Sequence, residues 1–323
     1  MFLNCVTKYT GYDSVAVMEE MDHSYRSTRR KYLSATAAIG GLAIASGTAS
    51  ACDEKDKKKD DEKRADERRE ELDKFTDGVE SEDTDPTEID SPTVITEPGA
   101  YVITEDIETD LQRGEACIFV KSDNVTIDGR DNTLRGGGSG AGIFVLDSTN
   151  VRVRNCKIEN FLFGVTYFEA ADDGVVDGCT VTNCTEGIGI DDATDNVVRN
   201  CTLRESKLVV EFDSIGTVLI NNEITDVSDR NGVSLADSSR CYVIDNKVTG
   251  SEQSGLFCDS VITSTISGNE FTDNGAYGIE LDFCEDNRIT DNDLSDNEDG
   301  ACNLENSDAN LFRGNDPACG PDE

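Results

Sequence analysis

A short phrase that recurs about every 23 residues constrains this chain more than any other feature of its sequence. Each copy carries an apolar residue, then one polar or aliphatic residue, then Asn, Asp or Gly, then a marker residue that is Cys or Asn. The first seven copies continue with one more residue and a second apolar one. The marker residue is, in successive copies, Cys156, Cys179, Cys201, Asn222, Asn246, Asn269, Asn292 and Asn315. A period of this length is typical of solenoids, in which each repeat stacks on the next.

A second marker keeps the same period. A glycine opens a short alternating segment at Gly142, Gly164, Gly187, Gly232, Gly255, Gly278 and Gly300, and the copy near Leu208 lacks it. Short segments of period-two alternation, separated by Asn, Asp, Gly and Ser, indicate strands and leave no room for helices. The sequence therefore predicts an all-β parallel solenoid over residues 92–323, with about nine coils of about 23 residues.

The marker residues are expected to point inward at a turn and to lie one above another. Stacked asparagines form amide ladders, as they do in cross-β assemblies. The cysteines Cys156, Cys179 and Cys201 occupy the same position. They are interpreted as small core residues, although a disulfide between two neighbouring coils remains an alternative.

The Asn-x-Ile and Gly-Ile phrases resemble the right-handed parallel β-helix repeats of NosD-type proteins and of the carbohydrate-binding and sugar-hydrolase superfamily. The resemblance runs from about Thr93 to the C-terminus. It implies a right-handed, single-stranded parallel β-helix, in agreement with the right-handed crossover rule. It implies little about function, because this scaffold carries many unrelated activities.

The N-terminal part reads as an export segment followed by a tether. Arg29 and Arg30 precede a mild apolar run and small residues, which resembles a twin-arginine signal over residues 1–51. Cys52 follows directly, and lipid anchoring and free secretion are both open; any membrane attachment is expected only there. Residues 52–91 are densely charged and are predicted to be a linker.

Strong acidity limits the partners of the chain. The formal net charge is −38 and the isoelectric point is about 4.1. Such acidity suits a protein that stays soluble in high salt, and it resembles secreted proteins of haloarchaea. Nucleic acid is not an expected partner, because no basic patch is present to neutralise phosphates. The sequence does not indicate an oligomeric state.

The residue inventory excludes several kinds of chemistry. The sole histidine, His23, and all three methionines precede the predicted cleavage site. The exported chain would therefore lack a Ser-His-Asp triad and histidine metal sites. The same absence argues against copper delivery by analogy with NosD. No cofactor is expected, apart from Ca²⁺ at carboxylates.

An acid follows each glycine marker by four or five residues, at Asp147, Glu169, Asp191, Asp192, Asp213, Asp237, Asp259, Asp282 and Glu305. Three interpretations are open. The row is a hydrated surface, or it holds Ca²⁺ at acids such as Asp237, Asp259 and Asp282. In the third, a pair such as Asp192 and Asp213, about 5 Å apart, is catalytic in the manner of a retaining glycosidase.

The coil at Lys207–Asp213 lacks the marker glycine, so the inward and outward alternation of side chains can place Glu211 in either of two ways. It points inward, where Lys207 or Arg204 would have to pair with it, or a shifted register turns it outward. A row of outward phenylalanines (Phe144, Phe168, Phe212 and Phe257) either stacks on sugar rings or is covered by turns. At the C-terminus, Cys302 and Cys319 are candidates for a disulfide, as are Cys241, Cys258 and Cys284.

Two function classes remain open from the sequence. The favoured one is an exported, surface-associated β-helix that binds a glycan or another cell-surface partner without catalysis. The alternative is a polysaccharide lyase or glycoside hydrolase whose candidate residues are Asp191, Asp192, Glu211 and Asp213. Lack of histidine favours the first, and the sequence does not identify the ligand.

Overall fold

The structure is a computed structural model that describes residues 85–307 and 309–320. This part of the chain forms strands joined by turns and contains no helix. Three parallel sheets of 11, 10 and 8 strands make about ten turns of a β-helix, one more than the predicted nine. The predicted parallel β-helix is confirmed. Among the described residues, no helix is long and apolar enough to cross a membrane.

The eleven-stranded sheet is built from short strands that pair in parallel with the equivalent strand of the next turn. Its strands are β1 (Thr87–Ile89), β3 (Gly99–Ile103), β6 (Val125–Asp128), β9 (Arg152–Arg154), β12 (Val175–Asp177), β15 (Val197–Arg199), β18 (Val218–Ile220), β21 (Tyr242–Ile244), β24 (Thr265–Ser267), β27 (Arg288–Thr290) and β29 (Leu311–Arg313). The first strand begins five residues before the predicted start of the domain at 92.

The eight-stranded sheet follows the eleven-stranded sheet in each turn. Its strands are β4 (Ile107–Glu108), β7 (Thr133–Arg135), β10 (Lys157–Glu159), β13 (Thr180–Thr182), β16 (Thr202–Arg204), β19 (Glu223–Thr225), β22 (Lys247–Thr249) and β25 (Glu270–Thr272). The central residue of the well-buried strands is apolar and points inward, for example Ile158, Val181 and Leu203.

The ten-stranded sheet has the longest strands and completes each turn. It comprises β2 (Thr93–Ile95), β5 (Ala116–Val120), β8 (Ala141–Leu146), β11 (Phe163–Phe168), β14 (Glu186–Asp191), β17 (Lys207–Glu211), β20 (Val233–Ala236), β23 (Leu256–Asp259), β26 (Tyr277–Asp282) and β28 (Gly300–Glu305). Inward residues of successive strands stack into aliphatic columns, because each coil can bury its apolar face only against its neighbours.

The marker residues lie at the corner between the eleven- and eight-stranded sheets, and we call them the corner column. The residue before each one has a positive φ and is Asn, Asp or Gly: Asn155, Gly178, Asn200, Asn221, Asp245, Gly268, Asp291 and Gly314. These types adopt the left-handed conformation at least cost, which explains why the phrase is so restricted there.

The asparagines of the corner column form a continuous hydrogen-bonded ladder. Nδ2 of Asn222 donates to Oδ1 of Asn246 at 3.0 Å, and Nδ2 of Asn246 donates to Oδ1 of Asn269 at 3.1 Å. The ladder continues through Asn292 to Asn315. Each amide also donates to a main-chain carbonyl of the preceding coil, as Asn246 does to Leu219 at 2.9 Å.

The cysteines of the corner column are buried and free. Cys156, Cys179 and Cys201 are each 1 % exposed, and none is in a disulfide. The main-chain N–H of Cys201 donates to Oδ1 of Asn222 at 3.0 Å, which joins the thiols to the amide ladder. A disulfide instead connects Cys302 and Cys319 near the C-terminal end, while Cys241, Cys258 and Cys284 are free.

The glycine markers are required by close packing between coils. A Cβ on Gly278 would lie 2.9 Å from the carbonyl oxygen of Ala301, and one on Gly164 would collide with that of Gly187. Strand β17 has lost this residue altogether. Glu186 pairs with Lys207, yet Ile188 already pairs with Leu208, so the register shifts at the missing glycine.

Candidate functional site

The outer face of the ten-stranded sheet carries two rows of side chains that alternate with the buried columns. The middle row contains Phe119, Phe144, Thr166, Gly189, Val209, Ser234, Phe257, Glu280 and Asn303. The edge row contains Leu146, Phe168, Asp191 and Glu211, and then Ala236, Asp259, Asp282 and Glu305. We call strands β8, β11, β14 and β17 the first half of this face, and β20, β23, β26 and β28 the second half.

The first half is closed to solvent. Phe144 is 1 % exposed, Phe168 is 7 % exposed, and their ring centroids are 6.1 Å apart. Both outward phenylalanines are therefore buried, and neither offers a free ring for a sugar. Thr166 and Asp191 are buried among them, at 0 % and 3 % exposure.

Three acids and a lysine meet in the first half. Glu186 lies opposite Lys207 on the next strand, and Asp191 lies opposite Glu211. Gly189 stands between the two acids of β14. A Cβ there would collide with Oε1 of Glu186 and would lie 3.7 Å from Oδ2 of Asp191, so the carboxylate of Glu186 occupies the space above the glycine and that of Asp191 lies beside it.

The environment of these acids favours their protonated forms. Desolvation raises the pKa of Glu186 to about 7, and Lys207 opposes the shift. Desolvation, followed by repulsion from Glu186 and Glu211, raises the pKa of Asp191 well above its usual range. The pKa of Glu211 is also raised by burial, against the effect of Lys207. A carboxyl group whose pKa lies near 7, as that of Glu186 does, is able to give or take a proton at physiological pH.

The inward alternative for Glu211 is wrong. Val210, not Glu211, pairs with Ile190 and Leu235 and fills the inward column. Because the missing glycine shortens the strand by one residue, Glu211 moves to the outer edge row beside Asp191. Arg204 ion-pairs with Asp226 at 3.2 Å instead of with Glu211.

The second half of the face is open. Phe257 and Glu280 are half-buried neighbours in the middle row. Oγ of Ser254 donates to Oε2 of Glu280 at 2.8 Å, and Nδ2 of Asn303 donates to Oε1 at 3.3 Å. Phe283, which the sequence patterns did not single out, is 56 % exposed at the turn beyond β26. The second half therefore offers aromatic surface beside a fixed carboxylate.

The predicted single row of acids is two rows in the structure. Asp191, Glu211, Asp259, Asp282 and Glu305 belong to the edge row of the sheet. Asp147, Glu169, Asp192, Asp213 and Asp237 lie one residue or more further on, at turn positions with positive φ. Asp259 and Asp282 are thus direct neighbours, whereas Asp237 is displaced from both by the turn.

Three acids at these turn positions, Asp147, Glu169 and Asp192, line an open depression of about 480 Å³ together with Asp172. Oδ1 of Asp172 accepts a hydrogen bond from the main-chain N–H of Thr194 at 2.6 Å. Partial desolvation, and then the nearby Asp213 and Asp172, raise the pKa of Asp192. Asp192 and Asp213 are therefore electrostatic neighbours.

Copper does not fit the described part of the chain. No three His, Cys, Asp or Glu side chains within residues 85–307 and 309–320 are grouped so as to hold a metal ion. The thiols of Cys117 and Cys184 are also poorly reactive, since desolvation raises their pKa values to about 12 and about 11. The predicted signal arginines Arg29 and Arg30 and the predicted lipidation site Cys52 lie outside the described residues.

Fold and surface together define a parallel β-helix protein with one extended, acid-lined sheet face. The family model described as periplasmic copper-binding protein (NosD) matches residues 120–315. The chain belongs to this NosD family. No curated protein matches the sequence.

Two structures of AlgG show the same fold at low sequence identity. The periplasmic alginate epimerase AlgG is 16 % identical with a TM-score of 0.51, over 62 % of this chain and 55 % of that one. A double mutant of AlgG gives 16 % identity and a TM-score of 0.56, over 69 % and 61 %. The A-module of mannuronan C-5 epimerase AlgE6 from Azotobacter vinelandii is 15 % identical, with a TM-score of 0.46, over 67 % and 76 %. The chain spans about three fifths of AlgG, and the likeness concerns the fold.

Proposed function

We propose that this protein is an exported, surface-associated β-helix that binds a glycan on the second half of the ten-stranded sheet without catalysing a reaction. The supporting observation is the arrangement around Phe257. An accessible aromatic ring lies next to Glu280, whose carboxylate is fixed by Ser254 and Asn303. Aromatic rings pack on the apolar faces of sugars, and fixed carboxylates and amides accept and donate hydrogen bonds to hydroxyl groups.

The proposal extends to location. Membership of a family described as periplasmic supports export. We propose the twin-arginine route through Arg29 and Arg30, with attachment to the cell surface either by a lipid on Cys52 or through the glycan itself. The high negative charge argues for a partner that is neutral or is bound in high salt, because salt reduces the repulsion of a polyanion.

Glycan binding in 1 M NaCl tests the proposal. A glycan array identifies ligands, and calorimetry then compares the parent protein with Phe257→Ala and with Thr249→Ala on the outer face of the eight-stranded sheet. We expect Phe257→Ala to weaken binding at least tenfold and Thr249→Ala to leave it unchanged. Absence of any glycan ligand, or equal affinity of Phe257→Ala and the parent, contradicts the proposal.

The second candidate function is a polysaccharide lyase or glycoside hydrolase that uses the carboxylates of the first half. It is favoured by the unequal environments of Glu186 and Asp191, since paired carboxyl groups with shifted pKa values often divide acid and base roles. Incubation with acidic polysaccharides, with and without Ca²⁺, distinguishes the two functions. New reducing ends or unsaturated sugars that disappear in Glu186→Gln establish catalysis and exclude the binding-only proposal.

A further inference from the structure

Two buried polar atoms of the first half lack a hydrogen-bond partner. Oγ1 of Thr166 and Oδ1 of Asp191 are inaccessible to solvent and receive no hydrogen bond from any residue. A hydroxyl or carboxylate oxygen in such surroundings is costly, and native structures nearly always give it a partner. These two atoms therefore point to a ligand that the polypeptide alone does not supply.

The two residues that carry these atoms are near neighbours on the outer face of the sheet. Thr166 pairs with Gly189 across neighbouring strands, about 4.8 Å apart, and Asp191 is two residues beyond Gly189 on the same outer face. The absence of a side chain at Gly189 leaves room into which Glu186 folds, close to Asp191. The two carboxylates therefore lie beside each other over Gly189, and Thr166 is the residue that pairs with this glycine on the preceding strand.

The charges in this region are unbalanced. Glu186 and Asp191 lie side by side, and Glu211 follows on the next strand beside Asp191. Lys207 is opposite Glu186 and compensates for one of the three negative charges. When the three acids are ionised, Lys207 and Arg230 balance their negative charge only in part, and a doubly charged cation would neutralise the remainder in place of bound protons.

We propose that Thr166, Glu186 and Asp191 bind a hard divalent cation of the Ca²⁺ type on the outer face of the ten-stranded sheet. Hydroxyl and carboxylate oxygens are the donors that Ca²⁺ prefers, and water completes its coordination of six to eight oxygens. A small ion suits a place where Asp191 is 3 % exposed, which a sugar ring does not. The site differs from the acids Asp237, Asp259 and Asp282 that the sequence suggested, and it does not depend on the proposed glycan binding.

Calorimetric titration of the EDTA-treated and dialysed full chain with CaCl₂ in 1 M NaCl tests this site. High salt suppresses diffuse binding to the acidic surface. We expect one saturable site, weakened at least tenfold by Asp191→Asn and several-fold by Thr166→Val. Lys207→Gln removes a repelling charge and should tighten binding about threefold. The matched control is the double variant Asp259→Asn and Asp282→Asn in the second half, for which we expect unchanged affinity.

Circular dichroism establishes that each variant retains the β-helix before it is titrated. Saturable binding that Asp191→Asn abolishes and Lys207→Gln strengthens supports the site. Absence of a saturable Ca²⁺ signal up to millimolar concentration overturns the proposal. Binding that is unchanged in Asp191→Asn, or that is lost in the Asp259 and Asp282 double variant, also overturns it, because the ion would then lie on the open acids.

Discussion

The first and second halves of the β-helix stack their coils in the same way but use different side chains to do so. In the first half, the corner column consists of buried thiols, and the outer face of the ten-stranded sheet is closed over phenylalanines and carboxylates. In the second half, the corner column is an amide ladder, and the outer face is open. The backbone path is nearly the same in both. The repeat therefore determines the path of the backbone but not the outward side chains. One region can consequently bury acidic side chains while another presents an accessible surface.

The corner column differs in how much each residue contributes to stability. A thiol fills space and forms weak hydrogen bonds, such as that from Sγ of Cys179 to the carbonyl of Asp177 at 3.7 Å. An asparagine satisfies main-chain groups on two coils. Oδ1 of Asn246 accepts from the main-chain N–H of Asn222 at 3.0 Å, while its Nδ2 donates to Leu219 and Asn269. Loss of an amide consequently leaves several buried groups unpaired.

The largest expected effect is that of Asn246→Ala in the second half. It removes the ladder in both directions, takes the amide donor away from the carbonyl of Leu219 and leaves the N–H of Asn222 without the acceptor that Oδ1 provides. We expect a loss of about 3–5 kcal/mol in the free energy of unfolding, measured by urea titration. Asn246→Cys, which imitates the first half, should recover only a small part of it. A loss below about 1 kcal/mol for Asn246→Ala would show that the ladder does not distinguish the halves.

A smaller effect is expected from Glu186→Gln in the first half, and it should depend on pH. The folded-state pKa of Glu186 is about 7, above its ordinary value of 4.5. The stability linked to this group is therefore fully present below pH 4.5 and is lost as the pH rises to about 7. The surrounding charges are Lys207, Glu211, Asp191 and Arg230.

Urea titrations between pH 4.5 and 8, in 1 M NaCl with EDTA, measure this difference. The parent should lose stability over the window relative to Glu186→Gln, and the variant should be about 1–2 kcal/mol more stable at pH 8. Glu280→Gln serves as the matched change on the open half and should not alter the slope. Parallel pH profiles for the parent and Glu186→Gln would mean that ionisation of Glu186 does not destabilise the closed half.

The smallest effect is expected from Cys179→Ala. The thiol is buried in the middle of the first-half column, and its removal leaves a small cavity with only weak hydrogen bonds lost. We expect a loss of about 1 kcal/mol in the free energy of unfolding by urea titration. A loss as large as that of Asn246→Ala would overturn the interpretation that the thiols are space-filling.

Particular residues show where sequence patterns succeed and where they fail. The stacking register from Asn222 to Asn315 can be predicted from the sequence, because every copy repeats the same motif and equivalent residues of successive copies lie one above another. The orientation of Glu211 in the coil at Leu208 could not be predicted from the repeat, because one missing glycine shifts the register and moves Glu211 from the inward to the outward row. The acids of the edge row and of the turn row look like one series in the sequence, since they differ by a single residue at a positive-φ turn.

Only part of the candidate site could be predicted from the sequence. Asp191 and Glu211 stand out as acids near an irregular coil, but no sequence pattern distinguishes Thr166 or Glu186. Their significance comes from the space above Gly189, which depends on what the neighbouring coils place there. Phe144 and Phe257 look alike in the sequence, yet one is buried and the other is accessible.

The sequence by itself determined the repeat length, the parallel β-helix and the identity of the corner column, because these depend on local periodicity and on which residues tolerate tight turns. Only the tertiary structure decided which part of the sheet face is closed, which carboxylates are poorly solvated and which polar atoms lack partners. Burial and electrostatic environment arise from neighbours that are 20 or more residues away in the chain, and no local pattern encodes them.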